Sequence, residues 1–451
     1  MDKMGDFSLE ALNLDLNALF LLSVTVLAFL VPVVIILPPV TPQKSDALLQ
    51  THSLAGLAPS RSNLRTQFAP AAHEPRPGQP PRVQALMVYP VKSCRGVEVS
   101  RARVLPQGLE FDRLFTFAQL RSAFPVPVDA SGAESDAHAW SFITQRQFAR
   151  LATVAVELWL PDEMKLRKQS MKTNEAFLIL RFPWQERGLR GLLATIGAKL
   201  TRGLRAVAEK EVLLPVDFPD ADQIKARGYS YEDVTIWKET VSALNMSKEI
   251  PEELRLYLGV SNKLGLFRID PQKLREVYHC APRKEDIGWQ PVCGFQDGYP
   301  LHIQNLCSVQ TFDAQVPKDD ELRQLSVLRF RPNIILSGGP AYDEDEWKQI
   351  RLRPGTSGLY NDALLNVSCH TVRCRLPNVD PDTGDRHPTQ PDKTLRATRD
   401  IDAGAPRSGC LGVQATPLFE GAVTEEDRSA WVGVGMDVSV EERGEHFYLK
   451  S

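Results

Sequence analysis

Cys374 sits between two cations, in the run His370-Thr371-Val372-Arg373-Cys374-Arg375. Adjacent positive charge favours the thiolate, the form that ligates metals and attacks electrophiles. Three chemistries could use it. A zinc site needs four N or S ligands. Beyond Cys369 and His370, only His387 and Cys410 lie near in sequence, at irregular spacing. A Cys–His nucleophile is a second option, with no histidine at a matching position to support it. A soft, redox-active metal suits a soft thiolate ligand. The plain alternative is an inert, partly buried cysteine, since cysteine is among the most buried residue types.

Cations elsewhere suit an anionic ligand. Lys92 and Ser93 follow a β-type run and Pro90. Lysine offers three donors and a full charge to a phosphate, and the serine hydroxyl adds one more donor. A solvated surface lysine is the plain alternative. In Arg331-Pro332-Asn333, the proline fixes φ and removes a donor. Residues two apart in an extended segment point to one side, so Arg331 and Asn333 would face the same ligand. The arginine fork suits phosphate. Arg113 follows Asp112, and its plain reading is an ion pair with Asp112 or Glu110.

These runs together resemble a known family. Tyr89-Pro-Val-Lys-Ser-Cys-Arg-Gly96, Phe330-Arg-Pro-Asn-Ile-Ile-Leu-Ser-Gly338 and His370 to Gly384, with Asp380-Pro-Asp-Thr-Gly384, are similar to the MOSC-domain proteins. The likeness is strongest to the membrane-anchored amidoxime-reducing components of mitochondria. It covers roughly residues 83–440 and is poor between about 161 and 280. The resemblance implies a MOSC β-barrel with an N-terminal β-barrel subdomain, an α+β, mainly β fold. It implies a molybdenum–molybdopterin cofactor with Cys374 as molybdenum ligand and catalytic residue. Lys92, Ser93, Arg113, Gly298, Tyr299, Arg331, Asn333 and Arg373 are then the cofactor-binding residues. Gly298 and Tyr299 enter through the loop Asp297-Gly-Tyr-Pro300, and Thr144 and Arg146 stand behind the site. One departure is Gly339, which replaces a cysteine of animal members.

Positioning these residues requires several elements. Short apolar runs broken by Gly and Pro predict strands at 83–89, 152–160, 328–331, 334–336, 364–367 and 431–434. Leucines at three- and four-residue spacing predict a helix within 187–211, its basic face solvated or set against a membrane or acidic partner. A second helix is expected from Pro251 to Leu258. The expected order is a tail 1–17, a transmembrane anchor 18–37, a Pro-rich tether 38–82, a barrel subdomain 83–160, a variable α/β segment 161–280 and a MOSC domain 281–451.

The anchor rests on composition. Ala18 to Leu37 carries no charge, and 20 residues at ~1.5 Å each span the ~30 Å hydrocarbon core. A signal peptide would want a basic leader and a small-residue cleavage site. The tail instead holds Asp2, Asp6, Glu10 and Asp15 against Lys3. Basic residues after the span place the large part in the cytosol. Nine prolines between Pro38 and Arg82 predict a disordered tether. Seven dispersed cysteines, none in CxxC, read as reduced thiols. A net charge of −3 gives no sign of nucleic-acid binding.

The expected function is an N-reductive molybdenum oxidoreductase acting on small amidoximes and hydroxylamines. No flavin, haem or iron–sulfur motif occurs, so electrons must come from a partner. The resemblance implies a b-type cytochrome and an NADH-dependent flavin reductase, at the mitochondrial outer membrane, with the endoplasmic reticulum as the alternative. The second reading is a sulfur carrier or cofactor handler like the sulfurase C-terminal domain. Sulfurases add a pyridoxal-phosphate domain, which has no room before residue 83 here.

Overall fold

Residues 82–88 place apolar side chains on both faces of a strand, and five of the seven residues are buried. Such a strand needs cover on both sides. The computed structural model describes residues 16–36, 43–122, 138–169, 171, 173–355 and 362–449. In it, this strand is an inner member of an eight-stranded sheet. The order is Ile334–Ser337, Leu301–Asn305, Cys410–Leu418, Ala363–Val372, Trp347–Arg353, Asp437–Arg443, Arg82–Val88 and Val97–Val99. Ile334–Ser337 also pairs antiparallel with Arg82–Val88, Ile335 opposite Ala85, so the sheet closes on itself. Its core includes Ala85, Met87, Tyr89, Leu306, Phe312, Phe330, Ile335 and Leu411.

A second, closed barrel takes its strands in the order Ser230–Ile236, Glu239–Asn245, Leu264–Arg268, Phe115–Ser122 and His138–Phe142. Trp140, Phe142, Val234, Ile236, Val241 and Phe267 fill it. The fold is thus mainly β with few helices, as expected. The partition is different. Three strands of this barrel come from the segment read as variable, and Arg82–Val88 belongs to the larger sheet. The hairpin Ser230–Asn245 turns at Trp237, with φ 57, and has no Asn-Gly signal to announce it.

The tether expectation is corrected from Lys44 onward. Lys44–Leu48 is helical, His52–Leu54 pairs with Ala155–Pro161, and Leu64 joins the main core at 4% exposure. His73 is buried and bonds Ser337 Oγ at 2.8 Å. Proline here shapes turns instead of preventing burial. The run 328–331 is also corrected: Val327–Phe330 is a 3₁₀ turn. The tail residues 1–15, Leu37 and the first tether residues, 38–42, lie outside the described residues.

The chain divides into two compact units. One joins Lys44–Phe182 to Glu211–Ser451 and carries both barrels. The other holds the N-terminal helix, Leu16–Ile36, and Pro183–Lys210. The helix expected at 18–37 is present, but the expected transmembrane span is not shown. Among the described residues no helix is long and apolar enough to cross a membrane. On the N-terminal helix, side chains are described only for residues 17–33, ~25 Å at ~1.5 Å per residue. The helix expected within 187–211 is Leu189–Arg202, and that at 251–258 is Glu252–Leu258.

One buried acid makes the larger unit pH-sensitive. Glu344 is fully buried; Asn305 Nδ2 donates to its Oε2 at 3.2 Å, and its Oε1 has no partner. Burial pushes its pKa up to about 7. The folded state therefore holds a proton that the unfolded chain releases near ~4.3. Its stabilisation is complete below that pH and is lost as pH rises through about 7. Glu344→Gln should remove this loss, gaining on the order of 3 kcal/mol at about pH 8. Urea midpoints measured across the acidic to mildly basic range check it. An unchanged slope would refute the assignment.

Candidate functional site

The run Tyr89–Gly96 leaves the large sheet and is pinned by backbone bonds. Arg113 N donates to Tyr89 O at 2.8 Å, and Lys92 N to Phe115 O at 2.8 Å. This forces unusual backbone conformations. Ser93, Phe111, Arg113 and Arg331 have φ of 67, 68, 49 and 55. Left-handed non-glycine residues cost about 1–3 kcal/mol each and cluster at functional sites.

Ser93, Arg113 and Arg331 border one cavity of ≈ 720 Å³. Every sequence-predicted site residue lines it: Lys92, Ser93, Arg113, Gly298, Tyr299, Arg331, Asn333, Arg373 and Cys374. Thr144 and Arg146 do so too. Cys374 lies just past the strand Ala363–Val372 and is half-buried. All seven cysteines are free.

Tyr89 organises the cations. The guanidinium carbons of Arg113 and Arg331 each lie 4.2 Å from its ring centroid. A Cβ on Gly96 would stand 2.5 Å from Tyr89 Cε1, so only glycine lets the ring lie there. Arg113 Nη1 donates to Asp112 Oδ1 at 2.5 Å, which is the plain reading of this arginine. Its Nη2 donates to Arg331 O at 3.2 Å. Arg331 Nη1 donates to Cys94 O at 2.7 Å, and Arg373 Nη2 to Phe330 O at 2.9 Å. Burial lowers Arg331 and Arg373 to about 10 and raises Tyr89 to about 12, so these arginines stay charged and the phenol neutral at neutral pH.

Two nitrogens in this cluster are buried and unpartnered, Arg331 Nη2 and Arg373 Nε. Thr144 Oγ1 and Thr371 Oγ1 share that state. Leaving such donors unbonded costs ~1–3 kcal/mol each.

Lys92 and Asn333 are less free than the sequence suggested. Lys92 Nζ donates to Phe295 O and to Asp297 Oδ1, both at 2.7 Å. Burial lowers its pKa and Asp297 opposes that. Lys92, then Arg146 and the Trp237 N–H, hold Asp297 below the usual carboxylate range. The Arg331–Asn333 segment is not extended, because Arg331 is left-handed and caps the preceding turn. Asn333 ties three strands. Its Nδ2 donates to Met87 O at 3.2 Å, and its Oδ1 accepts from His302 N at 3.2 Å. Gly298 faces open space, so nothing steric demands glycine there.

Some site residues escaped the sequence reading. His302 lines the cavity near Arg373, with Nε2 to Nη1 at 3.5 Å. Burial and then Arg373 hold its pKa well below the usual range, so it is neutral. Trp237 also escaped it: its ring lies 4.0 Å from the Arg146 guanidinium at the cavity wall. His370 is not a partner for Cys374: its Nδ1 meets Asp402 Oδ2 at 2.7 Å and its Nε2 meets Asp345 O at 3.1 Å. Among the described residues no group of three or more His, Cys, Asp or Glu is placed to hold a metal. The thiol with a depressed pKa, about 6, is Cys280, through a hydrogen bond with Cys369, and it is not a wall residue of this cavity.

A closed β-barrel whose loops bring cations and a thiol to one cavity defines a class that sequence comparison also identifies. The MOSC N-terminal beta barrel domain matches residues 80–189, and the MOSC domain matches residues 290–439. Together they take in more than half of the chain, which belongs to the proteins built from these two domains. It is similar to mouse mitochondrial amidoxime-reducing component 1, 22% identical over 71% of this chain and 72% of that protein. The human component 1 is 24% identical over 71% and 72%. Rat mitochondrial amidoxime reducing component 2 is 24% identical over 75% and 77%.

Proposed function

We propose that this chain is a membrane-anchored molybdenum-cofactor oxidoreductase that reduces N-hydroxylated compounds such as amidoximes and hydroxylamines. One observation carries the reading: Lys92, Arg113, Arg331 and Arg373 converge with the half-buried Cys374 on one cavity. The residues fit the cofactor. The unpartnered Arg331 Nη2 and Arg373 Nε are donors for a phosphate-bearing pterin. Lys92, Ser93, Arg113, Gly298, Tyr299 and Asn333 would line its bed, and the Cys374 thiolate would ligate molybdenum. The names of the relatives support the activity.

When bound, the cofactor supplies the two-electron chemistry, and the protein binds, orients and tunes. Reducing an N–OH group consumes two electrons and two protons and releases water. The residues of this chain supply charge and position. The arginines hold positive potential where the anionic ligand lies. Neutral His302 can hydrogen-bond without adding a further charge beside Arg373. Arg146 and Trp237 form a flat cation–aromatic stretch of the cavity wall, suited to a planar substrate. Electrons would come from a b-type cytochrome fed by an NADH-dependent flavin reductase. The charge-free run 18–37 would anchor the chain, with the catalytic unit in the cytosol at the mitochondrial outer membrane. Shared confinement would raise the effective concentration of these partners.

The test is molybdenum and pterin content of the purified full chain, with benzamidoxime reduction under a reconstituted electron supply. Absence of both metal and pterin, from a host that makes the cofactor, would overturn the reading. Lys92→Ala and Arg331→Ala should each lower pterin retention roughly tenfold or more. Each removes a charge-assisted donor worth ~1.5–3 kcal/mol. Normal retention in both would show that the bed lies elsewhere.

A further inference from the structure

The helix Leu189–Arg202 is turned inside out. Its small residues Gly191, Gly197 and Ala198 are buried. Its large ones face outward: Leu192, Leu193, Ile196 and Leu200 are 56, 47, 38 and 49% exposed. The exposed apolar surface continues through Leu204 and Val207, at 87 and 53%. A surface helix normally buries that face, and a contiguous apolar patch left outside marks an interaction site. The expectation of a solvated basic face is thus incomplete, because the apolar face is solvated too.

Charge identifies the occupant. From Gly188 to Ala208 the sequence has no Asp or Glu. Lys199, Arg202 and Arg205 are exposed. Arg202 pairs with Glu209 and donates to Val207 O at 2.8 Å. Among the described residues neither Lys199 nor Arg205 has a carboxylate partner. A second copy of this helix would bring like charge against like charge. The helix has 14 residues, ~21 Å at ~1.5 Å each, too short to cross a ~30 Å hydrocarbon core. The N-terminal helix belongs to the same compact unit. Its described side chains are exposed as well, Phe20 at 71% and Leu27 at 59%, so neither helix covers the other.

We propose that Leu189–Val207 is an interfacial segment that lies in the headgroup plane of an anionic bilayer. Leu192, Leu193, Ile196, Leu200 and Leu204 enter the acyl boundary, and Lys199 and Arg205 meet lipid phosphates. The segment gives the chain a second, charge-selective membrane contact beside the anchor. The inference deepens the membrane reading given above and rests on it only for bringing the segment to the bilayer.

Hydrogen exchange by mass spectrometry, combined with vesicle flotation, tests it on the full chain. The probes are phosphatidylcholine vesicles with and without phosphatidylserine. Amides of residues 192–202 should exchange roughly tenfold or more slowly on the anionic vesicles than in detergent. The slowing should shrink on neutral vesicles and at high salt. In Leu193→Asp/Leu200→Asp the slowing should vanish while flotation persists through the N-terminal helix. In Leu22→Asp/Val26→Asp, weak and salt-sensitive flotation on anionic vesicles should survive. Flotation with no slowing at 192–202 would overturn the proposal and leave the anchor intact. Salt-sensitive flotation that the 193/200 variant abolishes would uphold it and refute the anchor. No flotation at all would refute both. Concentration-dependent slowing without vesicles would mean self-association and overturn it.

Discussion

Cys374→Ser should abolish benzamidoxime reduction, by more than about 100-fold, while Cys410→Ser keeps most of it. Even outer partners of a metal ligand cost 10–100-fold when removed, so the ligand itself should cost more. A serine alkoxide is harder than a thiolate and its pKa lies far higher. The two sites differ in setting. Cys374 is half-buried on the cavity wall. Cys410 is fully buried, and burial pushes its pKa up to about 12, which keeps it a thiol. Pterin content should fall less than activity in Cys374→Ser, because the arginines remain. Full activity in this variant would remove the central assignment. Lost activity, with no persulfide on the wild-type thiol, would also dispose of the sulfur-carrier alternative.

Asp112→Ala should cost about 3–5 kcal/mol of stability, the usual result of stripping one partner from a buried ion pair. The Asp112 side chain is fully buried. Its Oδ1 accepts from Tyr89 N at 2.8 Å and from Arg113 Nη1, and Gln296 Nε2 lies 3.4 Å from its Oδ2. Removing the carboxylate strands the Arg113 charge against the Tyr89 ring and frees the Tyr89 turn. Asp112→Asn keeps an acceptor for Tyr89 N and should lose less. Chemical denaturation measures both. A loss under about 1 kcal/mol for Asp112→Ala, the level of an ordinary substitution, would show that the carboxylate does not hold this turn.

Asp112 also marks where sequence reading stops. By type alone Lys92, Arg113, Arg331, Arg373 and Cys374 offer charge or thiolate chemistry and no more; the likeness of their runs to a known family is what grouped them. Their convergence on one cavity depends on long-range strand pairing, which no local pattern reports. Asp112 reads as the plain partner of Arg113; only the fold gives it Tyr89 and Gln296. His302 was hidden for a similar reason: its ring is tuned by Arg373, far along the chain. The segment 44–82 was misread because proline content says little about burial, and Leu64 and His73 are buried singly, without periodicity. The barrel hairpin at 230–245 lacks turn chemistry at Trp237-Lys238. The mainly β class survived these errors because short apolar runs between Gly and Pro report strands whatever sheet they join.

The closing pair of the large sheet has a consequence for synthesis. Arg82–Val88 emerges early from the ribosome, yet it hydrogen-bonds to Ile334–Ser337 and to Asp437–Arg443. Until those strands are made, a nascent strand with apolar residues on both faces has only the short Val97–Val99 to pair with and leaves its other edge open, an aggregation hazard. Folding of the larger unit must therefore be largely post-translational, and slow for so non-local a topology. It follows that the C-terminal domain match cannot be expressed alone as a working module. It would lack both an inner strand and the Lys92 loop that this strand delivers.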